Sequence, residues 1–176
     1  MKFNLQNIFL ISALLFLFTS CFGDDDGGGK DYSEWRELND KYIISAEEEM
    51  INGKLRYQKV IPPWDKTVYA LVEWHKVSEG KNKIQPLSNS TIKVAYVLKN
   101  INGDTLDSSP SYLCQPRNMI SGFWTTVTNM VPGDSVTSVI PYTAGYGAVG
   151  NVAVLPYSTL VFNIRLDSIV AYEKLP

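Results

Sequence analysis

Residues 119–147 read MISGFWTTVTNMVPGDSVTSVIPYTAGYG, and their pattern indicates a helix followed by a strand. Its first part places apolar residues on one stripe at helical spacing, namely Ile120, Phe123, Val127 and Met130. Ser121 is predicted to cap the amino terminus of this short helix, and Pro132-Gly133 to end it. Over residues 135–140 the apolar positions alternate, which is typical of a strand. We therefore expect a short helix that packs beside a strand.

Alternation predicts further strands on both sides of this stretch. Over residues 158–169, one face carries apolar side chains, namely Leu160, Phe162, Ile164 and Leu166. Other strands are predicted at residues 55–61 and 68–77 and from Thr91 onward. Asn102-Gly103 is the preferred dipeptide of a type I′ hairpin turn, so the strands that flank it should pair antiparallel. The pattern predicts an α+β fold, in which an antiparallel sheet wraps around one short helix.

A longer helix is predicted ahead of the sheet, over residues 31–53. Apolar side chains recur there at three-to-four spacing, from Tyr32 through Trp35 and Tyr42 to Met50. Gly53 stands where such a helix would stop, because glycine readily adopts the left-handed conformation of a helix end. We expect this helix to precede one folded domain over residues 54–176.

The amino terminus predicts the compartment. An uncharged apolar run over residues 8–18 is too short to span a bilayer comfortably, because a spanning helix needs roughly 20 apolar residues. Residues 1–20 therefore resemble a secretory signal peptide, and the small residues before Cys21 resemble the lipobox of bacterial lipoproteins. Cys21 would then be lipidated, and residues 21–30 would form a flexible acidic and glycine-rich tether. An uncleaved anchor helix and an ordinary signal peptide with an incidental cysteine stay open as alternatives.

This interpretation places the folded domain outside the cytoplasm, anchored by its lipid to a bacterial membrane. We favour the outer membrane. Surface exposure stays open, because the acidic residues Asp24-Asp25-Asp26 behind the lipidated cysteine are similar to an export signal of some Gram-negative surface lipoproteins.

Composition excludes several classes of function and of stabilisation. The formal net charge is -2 and no run of Lys or Arg stands out, so a nucleic-acid partner is not expected. With Cys21 lipidated, Cys114 would have no partner within the chain, which rules out a disulfide scaffold. The hydrophobic share of 45% is ample for a packed core, and stability should come from that core.

Several motifs in order resemble the FKBP-type peptidyl-prolyl isomerase domain, over about residues 54–171 and most closely over residues 92–166. Residues 94–96 match a strand that carries a pocket tyrosine, and residues 102–109 match a DG-x-x-FDSS segment with Leu106 in place of phenylalanine. Residues 119–123 resemble a VIxGW segment, with Phe123 where the family usually has tryptophan. Trp124 is one place off and should point elsewhere. Two later segments resemble IPPxxAYG and IPPxxTLxF, at residues 140–147 and 154–162.

The resemblance implies an apolar cup that works without a metal, a cofactor or a covalent nucleophile. Its catalytic residues would be Tyr96, Asp107, Ile120 and Tyr146. Tyr146 would donate its hydroxyl to a substrate carbonyl, and the backbone N–H of Ile120 would bind another carbonyl. Asp107 would sit at the rim as an acceptor that orients the pocket. The substrate-binding side chains would be Leu106, Tyr112, Met119, Phe123, Val154 and Phe162.

The implied function is cis–trans isomerisation of Xaa-Pro bonds in exported proteins, by a membrane-anchored folding factor. Its partners would be proline-containing polypeptides, with macrolides as candidate ligands. Leu106 and Phe123 leave the cup roomier and less aromatic, which predicts lower turnover. One alternative is a weak or inactive FKBP-like module that binds proline-containing segments. Another is an unrelated lipoprotein β-sandwich, which would have two stacked sheets and no helix between Ser121 and Val131.

Overall fold

The computed structural model describes residues 30–79 and 84–172, and within them two α-helices and eight strands follow one another. In chain order these are α1 (Ser33–Glu48), β1 (Met50–Ile51), β2 (Lys54–Leu55), β3 (Gln58–Val60), β4 (Ala70–Lys76), β5 (Thr91–Lys99), β6 (Thr105–Cys114), α2 (Ser121–Val127), β7 (Ser135–Ile140) and β8 (Leu160–Ala171). Single 3-10 turns lie before α2 and after β7, at Pro116–Asn118 and Tyr142–Ala144.

Strands β3 to β8 form one antiparallel sheet in the order β3-β4-β7-β8-β5-β6. The central strand β8 pairs with β7 on one side and with β5 on the other. Its alternating side chains, Leu160, Phe162, Ile164 and Leu166, are all buried, as the sequence predicts. The expected α+β architecture is therefore confirmed. The β-sandwich alternative is wrong, because a helix lies within residues 121–131.

Helix α2 packs on one face of the sheet through the predicted apolar stripe. Phe123, Val127 and Met130 are completely buried in the main core. A methyl group at Gly122 would lie 2.2 Å from the Ile140 side chain, so the absence of a side chain allows the helix to approach β7 closely. The Thr126 and Ser138 hydroxyls are 2.7 Å apart and join the helix to the same strand.

Ser121 does not cap α2, which corrects the prediction. The cap position belongs to Ile120, whose side chain has no hydrogen-bonding group, and the helix ends at Val127, well before Pro132-Gly133. The Ser121 hydroxyl instead donates to the backbone oxygen of Ala144 at 3.1 Å. This bond connects the start of α2 to the segment that follows β7.

Helix α1 packs on the opposite side of β4 and β7 through a second, smaller core. Ile43 and Ala46 are buried with Leu71 of β4 and Val139 of β7. The helix ends at Glu48, earlier than the predicted stop at Gly53. Residues Asp31–Pro176, which include this helix, form one compact unit.

Neither Asn-Gly dipeptide has the role that the sequence predicts. Asn52 and Gly53 have φ values of 52° and 76° and form the two-residue turn between β1 and β2, as a type I′ turn requires. At Asn102-Gly103 only the glycine has a positive φ, of 90°, so the type I′ prediction is wrong there. The Asn100 side chain closes that loop by accepting hydrogen bonds from the backbone of Asn102 and Asp104 at 3.0 Å. The flanking strands β5 and β6 do pair antiparallel.

One predicted strand differs from the structure, and the predicted amino-terminal segments fall outside the described residues. The strand predicted over residues 55–61 is divided between β2 and β3. The signal peptide, Cys21 and the tether up to residue 29 lie outside the described residues. In the parts of the chain that the structure describes, no helix is long and apolar enough to cross a membrane.

Candidate active site

Three aromatic rings from three different elements meet at one end of the main core. Tyr96 comes from β5, Phe123 from α2 and Phe162 from β8. The centroids of the rings are 6.5 Å apart for Tyr96 and Phe123, 6.0 Å for Tyr96 and Phe162, and 5.5 Å for Phe123 and Phe162. Edge-to-face and tilted pairs at these distances are favourable, because the ring edge is positive and the ring face is negative.

Leu106, Met119, Ile120 and Tyr146 are half-buried and pack against the main core to which Phe123 and Phe162 belong, and Val154 is buried within that core. We call the whole group the cup, and it consists of Tyr96, Leu106, Met119, Ile120, Phe123, Tyr146, Val154 and Phe162. Its members come from β5, β6, β8, α2 with the residues before it, and the segment between β7 and β8. These residues share the main core, and Tyr112, the other apolar residue that the sequence assigns to the site, contacts the cup through Tyr96.

Asp107 and Tyr112 lie at the rim of the cup and meet it through Tyr96. The Tyr96 hydroxyl donates to Oδ2 of Asp107 at 2.6 Å, and the other carboxylate oxygen accepts from the backbone of Ser108 at 2.8 Å. The Tyr112 ring packs edge-on against Tyr96 at 5.8 Å and is 38% exposed. Burial, followed by the bond to Asp107, raises the pKa of Tyr96. Tyr96 therefore stays protonated, and its ring orientation is fixed by the carboxylate.

Tyr146 lies in the segment between β7 and β8, residues 141–159, which we call the Tyr146 loop. The loop contains its own backbone bonds, among them one from Gly150 to the Tyr146 carbonyl at 3.1 Å. Asn151 supports the far side, because its side-chain oxygen accepts from the backbone of Ala153 and Val154, both at 2.8 Å. Burial raises the pKa of Tyr146, and the charge of Asp107 acts in the same direction. The phenol is therefore a hydrogen-bond donor at neutral pH.

Phe123 and Trp124 are consecutive residues that project from α2 in different directions. Phe123 is 0% exposed and lies beneath the half-buried members of the cup. Trp124 stacks on Trp64 with the ring centroids 4.0 Å apart and an angle of 19° between the planes, away from the three rings of the cup. The expectation that Trp124 points elsewhere is thus met. Phe123 supports the cup from below and does not itself reach solvent.

Cys114, at the end of β6, is the free cysteine of the described residues, and burial raises its pKa to about 11. A thiol with such a pKa is protonated at neutral pH and is a poor nucleophile. Hydrogen bonding and exclusion of water are the means that this arrangement offers for chemistry.

Comparison with known families agrees with this geometry. Residues 82–167 match the family model of the FKBP-type peptidyl-prolyl cis-trans isomerase, and they contain the complete cup. The chain carries an FKBP-type peptidyl-prolyl cis-trans isomerase domain. Helix α1 lies outside the matched residues of this FKBP domain. No curated protein sequence matches the chain.

Solved structures share the fold of the FKBP domain. A peptidyl-prolyl cis-trans isomerase from Pseudomonas syringae is 22% identical, with 81% of this chain and 98% of that one aligned and a TM-score of 0.66. FkpA from Escherichia coli is 20% identical, with 81% of this chain and 62% of that one aligned and a TM-score of 0.67. AtFKBP13 is 21% identical, with 64% of this chain and 99% of that one aligned and a TM-score of 0.52. This chain thus spans less than two thirds of FkpA.

Sequence reasoning missed the residues that support the site from a distance. The Ser121 hydroxyl bonds to Ala144 in the Tyr146 loop, and Trp35 of α1 donates from its indole nitrogen to the Ser158 hydroxyl at 3.0 Å. These partners are 23 and 123 positions apart in the sequence, so no local pattern could have paired them.

Proposed function

We propose that the FKBP domain isomerises Xaa-Pro peptide bonds of exported proteins, as a membrane-anchored folding factor. The observation that carries this proposal is the aromatic cup with the Tyr96–Asp107 pair at its rim and Tyr146 at its side. An apolar surface with the Tyr146 hydroxyl close by suits a proline ring flanked by peptide carbonyls.

The geometry matches what this reaction requires. Rotation about a peptide bond has a barrier of about 18–20 kcal/mol, because resonance holds the amide planar. A catalyst must bind the twisted amide more strongly than the planar one. The twisted carbonyl is less dipolar, so a site with little water disfavours the planar amide more than the transition state. Aromatic and aliphatic side chains of the cup provide such a site.

Two hydrogen-bond donors would hold the substrate on either side of the rotating bond. Tyr146 would donate its hydroxyl to a substrate carbonyl, because a phenol is protonated at neutral pH. Ile120 occupies the cap position of α2, and the first backbone N–H groups of a helix have no acceptor within the helix. The N–H of Ile120 would bind a second carbonyl. Asp107 would keep Tyr96 in place by accepting its hydroxyl hydrogen.

The departures at Leu106 and Phe123 predict slower turnover than an aromatic-rich cup would give. Leu106 offers a flexible aliphatic chain in place of a ring, and Phe123 lies completely beneath the surface. We expect the cup to prefer an apolar residue before proline. The same two departures favour the second candidate, a module that binds proline-containing segments, or macrolides, without efficient turnover.

Anchoring and compartment rest on the amino-terminal sequence. Lipidation of Cys21 would hold the domain at a membrane outside the cytoplasm, for which we favour the outer membrane. A lipid anchor predicts that Cys21→Ala is released into the soluble fraction after export, whereas the unaltered chain stays with the membranes. Retention of the variant in washed membranes would refute lipidation as the main anchor.

Exchange NMR on a panel of Xaa-Pro peptides tests the activity. The chain from Lys30 onward should produce cis–trans exchange peaks that Tyr146→Phe weakens. Tyr172→Phe serves as the matched control, because this tyrosine bonds to Gln85 outside the cup. Exchange peaks absent with a folded domain would refute catalysis, and peptide binding without exchange would establish the binding module.

A further inference from the structure

Helix α1 contacts the Tyr146 loop through a cation and two tyrosine rings. The centre of the Arg36 guanidinium lies 4.9 Å from the centroid of the Tyr157 ring and 5.8 Å from that of Tyr142. One of its nitrogens also donates to the Tyr142 hydroxyl at 3.4 Å. The two rings themselves meet edge-on at 5.4 Å. A guanidinium at these distances is attracted to the negative faces of aromatic rings.

The two tyrosines are joined by backbone bonds that enclose the residue after Tyr146. The N–H of Gly147 donates to the carbonyl of Tyr142, and the N–H of Tyr157 donates to the carbonyl of Gly147, both at 2.9 Å. A displacement of either tyrosine would therefore move Gly147, and with it the adjacent Tyr146 phenol.

The backbone at Tyr157 is strained, so the contacts around this residue must hold its conformation. Tyr157 has a φ of 60°, which is unfavourable for a residue with a bulky side chain. Such a conformation persists only where its surroundings hold it. Helix α1 supplies those surroundings. Besides Arg36, its Asn39 accepts from the backbone N–H of Thr159 at 2.7 Å, and Trp35 donates to Ser158 at 3.0 Å.

We propose that Arg36 is a positioning residue for the isomerase site, because it holds Tyr142 and Tyr157 together and thereby fixes the Tyr146 hydroxyl. This role rests on the proposed function of the cup, although Arg36 touches neither the substrate nor the cup. Helix α1 precedes the residues that match the FKBP family, so the helix adds a support that lies outside the matched domain.

Hydrogen exchange and kinetics on the full chain together test this role. In Arg36→Ala, exchange of the amides in residues 142–158 should become about tenfold faster, and kcat/KM for an Xaa-Pro peptide should fall about fivefold. Exchange in β8 should stay unchanged. Arg36→Lys, which keeps a cation, should lie between the wild type and Arg36→Ala. Lys41→Ala is the matched control, because Lys41 is an exposed cation of α1 that pairs with Glu37.

Faster loop exchange together with lower kcat/KM, in a chain of unchanged unfolding midpoint, supports the role. Unchanged loop exchange in Arg36→Ala overturns it, and so does faster exchange without a change in kcat/KM. Turnover in the wild type that equals that of Arg36→Ala refutes only the positioning role. Absence of turnover in the wild type refutes the proposed function and this role with it.

Discussion

We call the residues of helix α1 that bond to the Tyr146 loop, namely Trp35, Arg36 and Asn39, the α1 contact. This contact buries the polar side chain of Asn39, whereas the cup has a polar pair at an exposed rim. At the α1 contact, Asn39 is 0% exposed and all its bonds are internal: its amide donates to the Trp35 carbonyl at 2.8 Å and accepts from Thr159 at 2.7 Å. At the cup, the Tyr96 hydroxyl bonds to Asp107, which is exposed. A closed polar network stabilises the fold, whereas polar groups at an open rim remain available to a ligand. The difference predicts where a substitution lowers stability and where it lowers activity.

Asn39→Ala should have the largest effect, on the stability of the fold. It leaves the buried N–H of Thr159 without its acceptor, which should lower the free energy of unfolding by about 3 kcal/mol. Urea denaturation measures this change. Lys41→Ala, in the same helix, alters an exposed ion pair with Glu37 and should change stability by less than about 0.5 kcal/mol. Equal stability of the two variants would show that the bond from Thr159 to Asn39 does not stabilise the fold.

Phe123→Trp should lower stability by about 2 kcal/mol, because an indole must fit where a completely buried phenyl ring already packs. The neighbouring rings of Phe162 and Tyr96 would have to move outward. Denaturation and peptide turnover should be measured together. A variant of unchanged stability and higher turnover would contradict the buried position of Phe123 and place it on the surface of the cup.

Tyr146→Phe should lower kcat/KM about tenfold, equivalent to about 1.4 kcal/mol, with a change in unfolding free energy below about 0.5 kcal/mol. The variant removes one hydroxyl and retains the packing of the ring. Line-shape analysis of peptide resonances gives the rate. If stability fell while turnover persisted, Tyr146 would belong with the structural residues of the α1 contact.

The smallest effect is the contribution of Tyr96 to stability at high pH. Its pKa is raised in the folded state, so its contribution is fully present below the ordinary tyrosine pKa near 10 and is lost as the pH rises through the folded value. Wild-type protein should therefore lose more stability between pH 9 and about pH 11 than Tyr96→Phe does. Parallel pH profiles of the two proteins would contradict the environment assigned to Tyr96.

Periodicity was enough to predict the sheet and the short helix, whereas motif order assigned the residues of the cup. Alternation in β8 and the stripe on α2 depend on burial alone, and burial repeats along the chain with the period of each element. The family motifs supplied Tyr96, Asp107 and Tyr146, which periodicity could not single out.

Features that depend on contacts with other parts of the chain could not be predicted from local sequence patterns. Both Asn-Gly dipeptides favour the same turn, and the Asn100 side chain, which bonds two backbone N–H groups, decides against it at Asn102. Serine is a common helix cap, but the Ser121 hydroxyl donates to the backbone oxygen of Ala144 instead. The support of the Tyr146 loop by α1 joins positions more than a hundred residues apart.

Mapping a bound peptide onto the domain tests whether the cup, and not the α1 contact, receives the substrate. In a titration of the labelled chain with an Xaa-Pro peptide, the amide resonances of Tyr96, Asp107, Ile120 and Tyr146 should shift, and those of residues 37–46 in α1 should not. Shifts centred on α1, or none at the cup at saturating peptide, would show that the cup is not the substrate site.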